Sequence, residues 1–318
     1  MTSAVQRIGL VDLDTSHPGS WMPLLRELGY AVVAVYDGGT VWQGDYAQRF
    51  AQENNIPQVF DDLAKMANAV DFALIHSCNW DLHTQRAEPF LRAGKGVLLD
   101  KPLVGNLRDA QTLLDWSAQG ARVFGGSSLR WTKEVAEFLA HPVEARGIIH
   151  TALVGCAVDD FNYGIHAYAL LCSIMGAGAE CVRYLGMATQ KLIQVTWNGG
   201  RIGLLSIGAQ PGYLPFYATL VTERGVRYLE PDIPQAYRRL LETTLPYLSY
   251  TYTQPPMPMQ ELIEPELLAL AAKKSWMQHG AQIFLSDLSL TDEGYDGAAF
   301  ARDYRRMKLA GTVNFRVY

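Results

Sequence analysis

One lysine stands where a lysine could do chemistry. Lys101 lies between Asp100 and Pro102, directly after the apolar run Gly96–Leu99, which reads as a buried strand. A proline restrains the backbone of the residue before it. A side chain leaving the carboxyl end of a parallel strand points toward the ligand crevice of such a sheet. There a lysine can hydrogen-bond a substrate hydroxyl, and a nearby cationic ring would lower its pKa toward acid–base use. The plain alternative is a solvated loop lysine beside a helix start. A second candidate is His166, at the head of an apolar helix and preceded by Asp159, Asp160, Asn162 and Tyr163. A lone histidine on such a helix reads first as a satisfied core residue, but the polar cluster upstream makes it less ordinary. Asn162 and His166, four residues apart, are expected to share one helical face.

These residues need a scaffold, and the pattern supplies one. Strand readings at Arg7–Leu13, Ala31–Tyr36, Val59, Phe72–Ser77, Gly96–Leu99 and 121–126 alternate with helical patterns near 19–28, 45–52, 61–66, 83–93 and 107–118. Apolar strands alternating with helices predict an α/β, Rossmann-type doubly wound parallel sheet over residues 1–131. After Arg130 the rhythm changes. A strand at 147–154 and a buried helix at 163–175 precede two pairs of short strands joined at Asn198-Gly199-Gly200 and Glu223-Arg224-Gly225, which read as hairpin turns. Residues 132–318 are therefore expected to form an α+β domain with an open, mainly antiparallel sheet, closed by helices at 265–276 and 297–307. The Tyr- and Pro-rich stretch 246–259 is read as an ordered arm and not a regular helix. An open sheet with an apolar outer face needs covering, so a homodimer or homotetramer is expected.

Composition narrows the function classes. The chain has 318 residues, 49% of them apolar and 19% charged, which is a globular composition. A formal net charge of -5 speaks against a nucleic-acid binder. The longest largely apolar run, 167–179, is too short to span a bilayer, and no secretory leader is evident at the N-terminus. Cys78, Cys156, Cys172 and Cys181 are widely spaced, with no CxxC pair, and read as reduced thiols of a cytoplasmic protein.

Asp100-Lys101-Pro102-Leu103 resembles the E-K-P signature of the Gfo/Idh/MocA oxidoreductases, the glucose–fructose oxidoreductase and inositol dehydrogenase group. Asn162-Tyr163-Gly164-Ile165-His166 resembles that family's D-x-G-x-H motif. Ser77-Cys78-Asn79 through His83 is similar to its T-P-N…H segment, and Arg130 falls where the family often has an arginine. The likeness covers roughly residues 7–230. It implies an NAD- or NADP-dependent oxidoreductase acting on a hydroxylated, sugar-like or cyclitol-like small molecule. On that reading Lys101, His166, Asn162 and Tyr163 are catalytic, and Arg130, Asp160, Asn162 and His166 join Lys101 in binding substrate. The cofactor would lie against Asp14, Thr15, Ser16, His17, Asp37, Cys78, Asn79, His83, Asp100, Lys101 and Pro102. Asn162 departs from the family's aspartate, although an amide can still orient an imidazole. Asp37 ends the second strand about 20 residues beyond the loop, near the spacing of the acid that binds a ribose 2′-hydroxyl, which favours NAD.

The largest departure is in the phosphate loop. Dinucleotide-binding domains carry G-x-G-x-x-G after the first strand, and here the frame reads Asp12-Leu13-Asp14-Thr15-Ser16-His17. Glycines let the backbone approach a pyrophosphate at the helix N-terminus. A carboxylate about 4 Å from a phosphate would instead cost about 4 kcal/mol at an effective dielectric near 20, close to a thousandfold in affinity. Three readings follow. Thr15, Ser16 and backbone amides still cradle phosphate, with His17 as a partial cation; or Asp14 or Ser16 fills the anion seat; or Asp12, Asp14 and His17 hold a polar substrate or a metal. No metal-ligand spacing elsewhere supports the metal version. Two other classes stay open: a redox-neutral eliminase, epimerase or hydrolase, and a non-catalytic relative that binds a ligand in the cleft.

Overall fold

Apolar runs without polar alternation must be buried on both faces; such runs form the centre of the first sheet, and the short edge strand Gln58–Phe60 is largely exposed. The computed structural model describes residues 5–211 and 214–311; residues 1–4 of the stretch read for a leader lie outside them. Strands β1 (Arg7–Val11), β2 (Ala31–Tyr36), β3 (Gln58–Phe60), β4 (Phe72–Ile75), β5 (Gly96–Leu99) and β6 (Val123–Gly125) pair in parallel in the order β3-β2-β1-β4-β5-β6. Helices α1 (His17–Glu27), α2 (Tyr46–Glu53), α3 (Leu63–Ala69), α4 (His83–Arg92) and α5 (Leu107–Ala118) connect them. The strand order reverses between β1 and β4, so a ligand crevice opens at their carboxyl ends. Gly125 ends β6 at φ +140, and a Cβ there would lie 1.9 Å from the Leu99 carbonyl oxygen. Only glycine lets the chain turn there, and the turn delivers Ser127–Arg130 to the crevice.

Two short helices, α6 (Lys133–Ala140) and α7 (Val143–Arg146), lead to the second sheet. It contains β7 (Ile149–Gly155), β8 (Ala179–Met187), β9 (Lys191–Trp197), β10 (Ile202–Ile207), β11 (Tyr217–Thr222), β12 (Gly225–Leu229) and β13 (Ile283–Phe284) in the order β12-β11-β7-β10-β9-β8-β13. All its pairings are antiparallel except β7 with β10. Both hairpins fall at the expected turns. Helix α8 (Gly164–Met175) separates β7 from β8, and every residue of it but Ser173 is buried, as an all-round apolar helix requires.

Three local expectations are corrected. Asn162 lies in the turn before α8, so it shares no helical face with His166. Strand β8 fits none of the alternating runs picked out from the sequence, because two register shifts interrupt its pairing with β9. A 16-residue helix, α9 (Ile233–Leu248), runs through Pro246. Pro246 withholds the N–H that would meet Glu242 O, but the helix ends two residues later, so one bond is forgone and the helix is not divided. The stretch after α9 is the ordered arm expected: Tyr250 Oη donates to Gly94 O at 2.7 Å, and the Arg122 guanidinium lies 3.7 Å from the Tyr250 ring. Helices α10 (Met259–Leu262), α11 (Glu264–Met277) and α12 (Gly297–Leu309) complete the chain. From α9 and α10, Leu240, Leu241, Leu245, Leu248 and Leu262 lie in the first sheet's core, not the second's.

Candidate functional site

The loop after β1 turns its acids inward. Asp12 adopts φ +59 and is fully buried. Its Oδ1 accepts the Gly38 amide at 2.8 Å, and its Oδ2 accepts Ser77 Oγ and, at 3.2 Å, Arg86 Nε. Asp14, also buried, accepts the Cys78 amide at 2.9 Å, while its second oxygen has no partner. Burial, reinforced by the charge of Asp12, pushes Asp14 up to about 7. Burial likewise lifts Asp37, which caps Gly39, to about 6. The two acids of the loop thus bind this chain's own amides across the β1–β2–β4 junction. What remains facing outward is Thr15, the exposed Ser16 and the start of α1, whose first turn holds no acid; there the His17 amide donates to Thr15 Oγ1 at 3.2 Å and Pro18 has no N–H to offer.

One carboxylate organises the next strand end. Asp100 Oδ1 accepts the Lys101 amide at 2.8 Å, and Oδ2 meets Nδ1 of His17 at 2.6 Å and Nδ1 of His76 at 3.1 Å. Burial alone would raise Asp100, but the two imidazoles hold it well below the usual carboxylate range. Lys101 Nζ crosses to the second domain and donates to both O and Oδ1 of Asn162 at 3.1 Å. Burial lowers the pKa of Lys101 against the pull of Asp100 and Asp159. Asp159 does not reach the lysine directly; its Oδ1 accepts the amides of Phe161 and Tyr163, which shapes the turn that presents Asn162. His166 Nδ1 lies 2.6 Å from Ser127 Oγ. Burial, then the Lys101 charge, keep this imidazole well below its usual pKa, hence neutral. Lys101, Asn162, Tyr163, His166 and His17 all line one pocket.

The pocket brings together half of the site residues singled out in the sequence. Thr15, Ser16 and Cys78 line it beside the catalytic candidates. Asp14, Asp37 and Asp100 stand behind or beside it, and Pro102 follows a cis peptide in the buried strand exit. Asn79 caps the short turn at Trp80–Leu82. Three candidates lie elsewhere. His83 is buried with its ring nitrogens 2.9 and 3.0 Å from the carbonyls of Leu103 and Ser77. Asp160 pairs with Lys191, and Arg130 is buried near Glu266 on the far side of Ser127. Sequence reasoning passed over His76, Tyr237 and the wall formed by Phe300, Tyr304 and Lys308 of α12. A histidine inside an apolar strand was the available signal for His76. No local pattern ties α9 or α12 to a loop over 200 residues earlier.

Asp14 yields a stability prediction. Its folded pKa near 7 lies above the unfolded value near 3.9. Its favourable contribution is therefore complete below about pH 4 and is lost as pH rises through 7. Asparagine imitates the protonated acid. Asp14→Asn should match the parent in acid and exceed it above about pH 7 by roughly 4 kcal/mol, read by urea denaturation at both pH values. An unchanged gap across that range would show that Asp14 ionises normally.

Residues 15–125 match the family described as an oxidoreductase family with an NAD-binding Rossmann fold. That description is the Gfo/Idh/MocA family's, and the match covers about a third of the chain. The match begins at Thr15, immediately past the two inward-turned acids. YceM of Salmonella typhimurium, whose name carries a provisional oxidoreductase assignment, is 34% identical over 114 residues, covering 36% of this chain and 35% of its own. A protein of Amycolatopsis mediterranei, provisionally named a UDP-kanosamine synthase oxidoreductase subunit, is 30% identical over 148 residues, covering 46% and 40%. The chain thus spans little more than a third of the curated relatives it matches. Among solved structures, scyllo-inositol dehydrogenase of Lactobacillus casei superposes with a TM-score of 0.75 at 15% identity over 90% of this chain and 100% of that one. Its myo-inositol dehydrogenase, in complex with NAD(H) and myo-inositol, gives 0.72 at 14% identity over 88% and 96%. These likenesses establish the fold across both domains. Among the described residues no helix is long and apolar enough to cross a membrane.

A Gfo/Idh/MocA cofactor can be tested against the residues present. The feared repulsion does not arise at the helix end, because Asp12 and Asp14 face inward onto their own partners. The acid-free start of α1 suits an anionic group electrostatically, although the His17 amide is held by Thr15 Oγ1 and Pro18 has no N–H. Toward β2 the crevice is roofed: Val41 is buried with Ala301 and Tyr304 of α12, and Trp42 Nε1 donates to Leu13 O at 2.9 Å. Helix α12 is fixed there by Asp81, which accepts the amides of Gly297 and Ala298. A Cβ on Gly297 would lie 2.5 Å from Asn79 Oδ1. The pocket end of the crevice therefore has room for a phosphate-bearing group, whereas its end toward β2 is covered by α12.

Proposed function

We propose that this chain is an NAD(P)-dependent oxidoreductase acting on a hydroxylated small molecule, sugar-like or cyclitol-like. The observation that carries the reading is the convergence of Lys101, Asn162 and His166 from two domains on one pocket beside the start of α1. Thr15, Ser16 and the α1 N-terminus would hold phosphate, and Asp37 a ribose. The bound nicotinamide supplies the hydride acceptor or donor. Lys101, a desolvated cation, donates to the substrate oxygen and favours its developing negative charge. His166, kept neutral, orients a neighbouring hydroxyl through Nε2 while Ser127 fixes its other nitrogen. Phe216 and Phe300 restrict water around the reacting carbon. A homodimer or homotetramer through the open sheet is part of the proposal, supported by the exposure of Met187, Val226 and Tyr228. So is a cytoplasmic address, supported by four buried free cysteines.

A redox-neutral reaction on the same scaffold is the second reading, favoured by the roof that α12 forms over the adenosine end. Calorimetric titration with NAD(H) and NADP(H) separates the two. Saturable binding, tighter for NAD(H) because of Asp37, is the expected result. No binding of either at millimolar concentration overturns the oxidoreductase reading.

A further inference from the structure

His17 occupies the place of the third glycine in the phosphate-loop frame, yet nothing in its surroundings treats it as loop filling. Its ring is stacked on Trp21, centroids 5.2 Å apart and planes 10° from parallel. Its Nδ1 lies 2.6 Å from Asp100 Oδ2, and its Nε2 lies 3.2 Å from Tyr237 Oη. Both His17 and Tyr237 line the pocket. An ionised Asp100 accepts only, so Nδ1 carries the proton and Nε2 is left as an acceptor for the tyrosyl O–H. The neighbouring groups offer no comparable path. Lys101 donates to Asn162, and His166 is tied to Ser127.

We propose that Asp100, His17 and Tyr237 form a proton relay whose open end, Tyr237 Oη, is an acid–base group of the pocket. The inference rests on the reading of this pocket as the active site. A substrate hydroxyl passes its proton to Tyr237 Oη as the tyrosyl proton passes to His17 Nε2. The resulting imidazolium is stabilised by the Asp100 carboxylate, and the reverse movement returns the proton. No electrons change hands in this step, so it serves a hydride transfer or a redox-neutral reaction equally. Tyr237 is the catalytic residue; His17 and Asp100 act through it. His76, on the same carboxylate oxygen with its Nε2 unpartnered, fixes Asp100 from behind.

Imidazole ¹H–¹⁵N spectra of the full chain test the relay without any substrate. The groups facing His17 are Asp100 from β5, His76 from β4, Tyr237 from α9, Lys101 and His166 across the pocket, and Tyr304 and Lys308 from α12. In the parent near neutral pH, His17 should be protonated at Nδ1 and bare at Nε2. Tyr237→Phe should shift the His17 Nε2 signal and leave His76 unmoved, whereas Asp100→Asn should perturb both histidines. A His17 protonated at Nε2, or one that does not respond to Tyr237→Phe, overturns the relay. Stoichiometric Zn²⁺ that shifts both histidines together would instead make the cluster a metal centre and overturn it too. With NAD and myo-inositol as the probe pair, Tyr237→Phe and His17→Gln should each lower kcat by about 100- to 10,000-fold with little change in KM. Parent-like kcat in both variants would also overturn it. Failure to bind NAD would strike the oxidoreductase reading and leave the spectra to decide the relay.

Discussion

Lys101→Met lowers kcat by about 100- to 10,000-fold while the protein stays folded. Methionine keeps the unbranched stem and its packing and removes only the ammonium. That ammonium links the end of β5 to Asn162 through two 3.1 Å hydrogen bonds, so it both charges the pocket and sets the approach of the second domain. Arginine should not rescue the loss, because its planar fork cannot reproduce a point charge at one position. Loss of a partly desolvated cation leaves the stability of the fold nearly unchanged, read as a melting temperature within a few degrees of the parent. Initial rates with NAD and myo-inositol measure the effect, and parent-like turnover in the variant would remove Lys101 from the mechanism.

Asp12→Asn destabilises the protein by about 3–5 kcal/mol, the usual cost of removing one partner from a buried ion pair. Asparagine is chosen because it tolerates the φ of +59 that Asp12 adopts, so the change isolates the charge. Arg86 is only 14% exposed and already donates to Tyr36 Oη at 3.0 Å, and the other acid that feels its charge, Asp37, is committed to the Gly39 amide. Chemical denaturation gives the number, and a loss below about 1 kcal/mol would mean that Arg86 finds water instead. The contrast with Asp14→Asn is informative. Two acids of one loop, two residues apart, are expected to respond in opposite directions, because one has a cation and the other has only an amide and a like charge. They are close enough to couple, so the double variant should not be the sum of the singles.

These contrasts also explain what could be read from the sequence. The strand–helix alternation to residue 126 and the two hairpin turns are local patterns, and they appear in the fold where expected. Lys101 and His166 could be singled out because each is an exception to its own element: a cation leaving an apolar strand, and an imidazole on an apolar helix. The loop acids were visible as a departure, but their direction was not, since it depends on Gly38, Ser77 and Arg86 reaching the same point from three other elements. His83 and Asp160 fit a motif and a polar cluster, yet the fold spends them on backbone carbonyls and on Lys191. Tyr237 could not be found at all without α9, and α9 was obscured by the prolines around it. Its apolar positions Ala236, Leu240, Leu241, Leu245 and Leu248 were nevertheless present in helical spacing.

That same helix bears on how the molecule comes into being. The first sheet is encoded before residue 126, yet part of its core is made of leucines from α9 and α10. During synthesis the strands emerge well ahead of the helices that cover them, so the nascent sheet spends that interval with an apolar face open to water. A fragment ending at residue 131 is in the same position permanently and is expected to aggregate or engage chaperones rather than fold alone. The two halves of this chain are therefore successive in sequence but simultaneous in folding, with completion of the first waiting on a helix that follows most of the second.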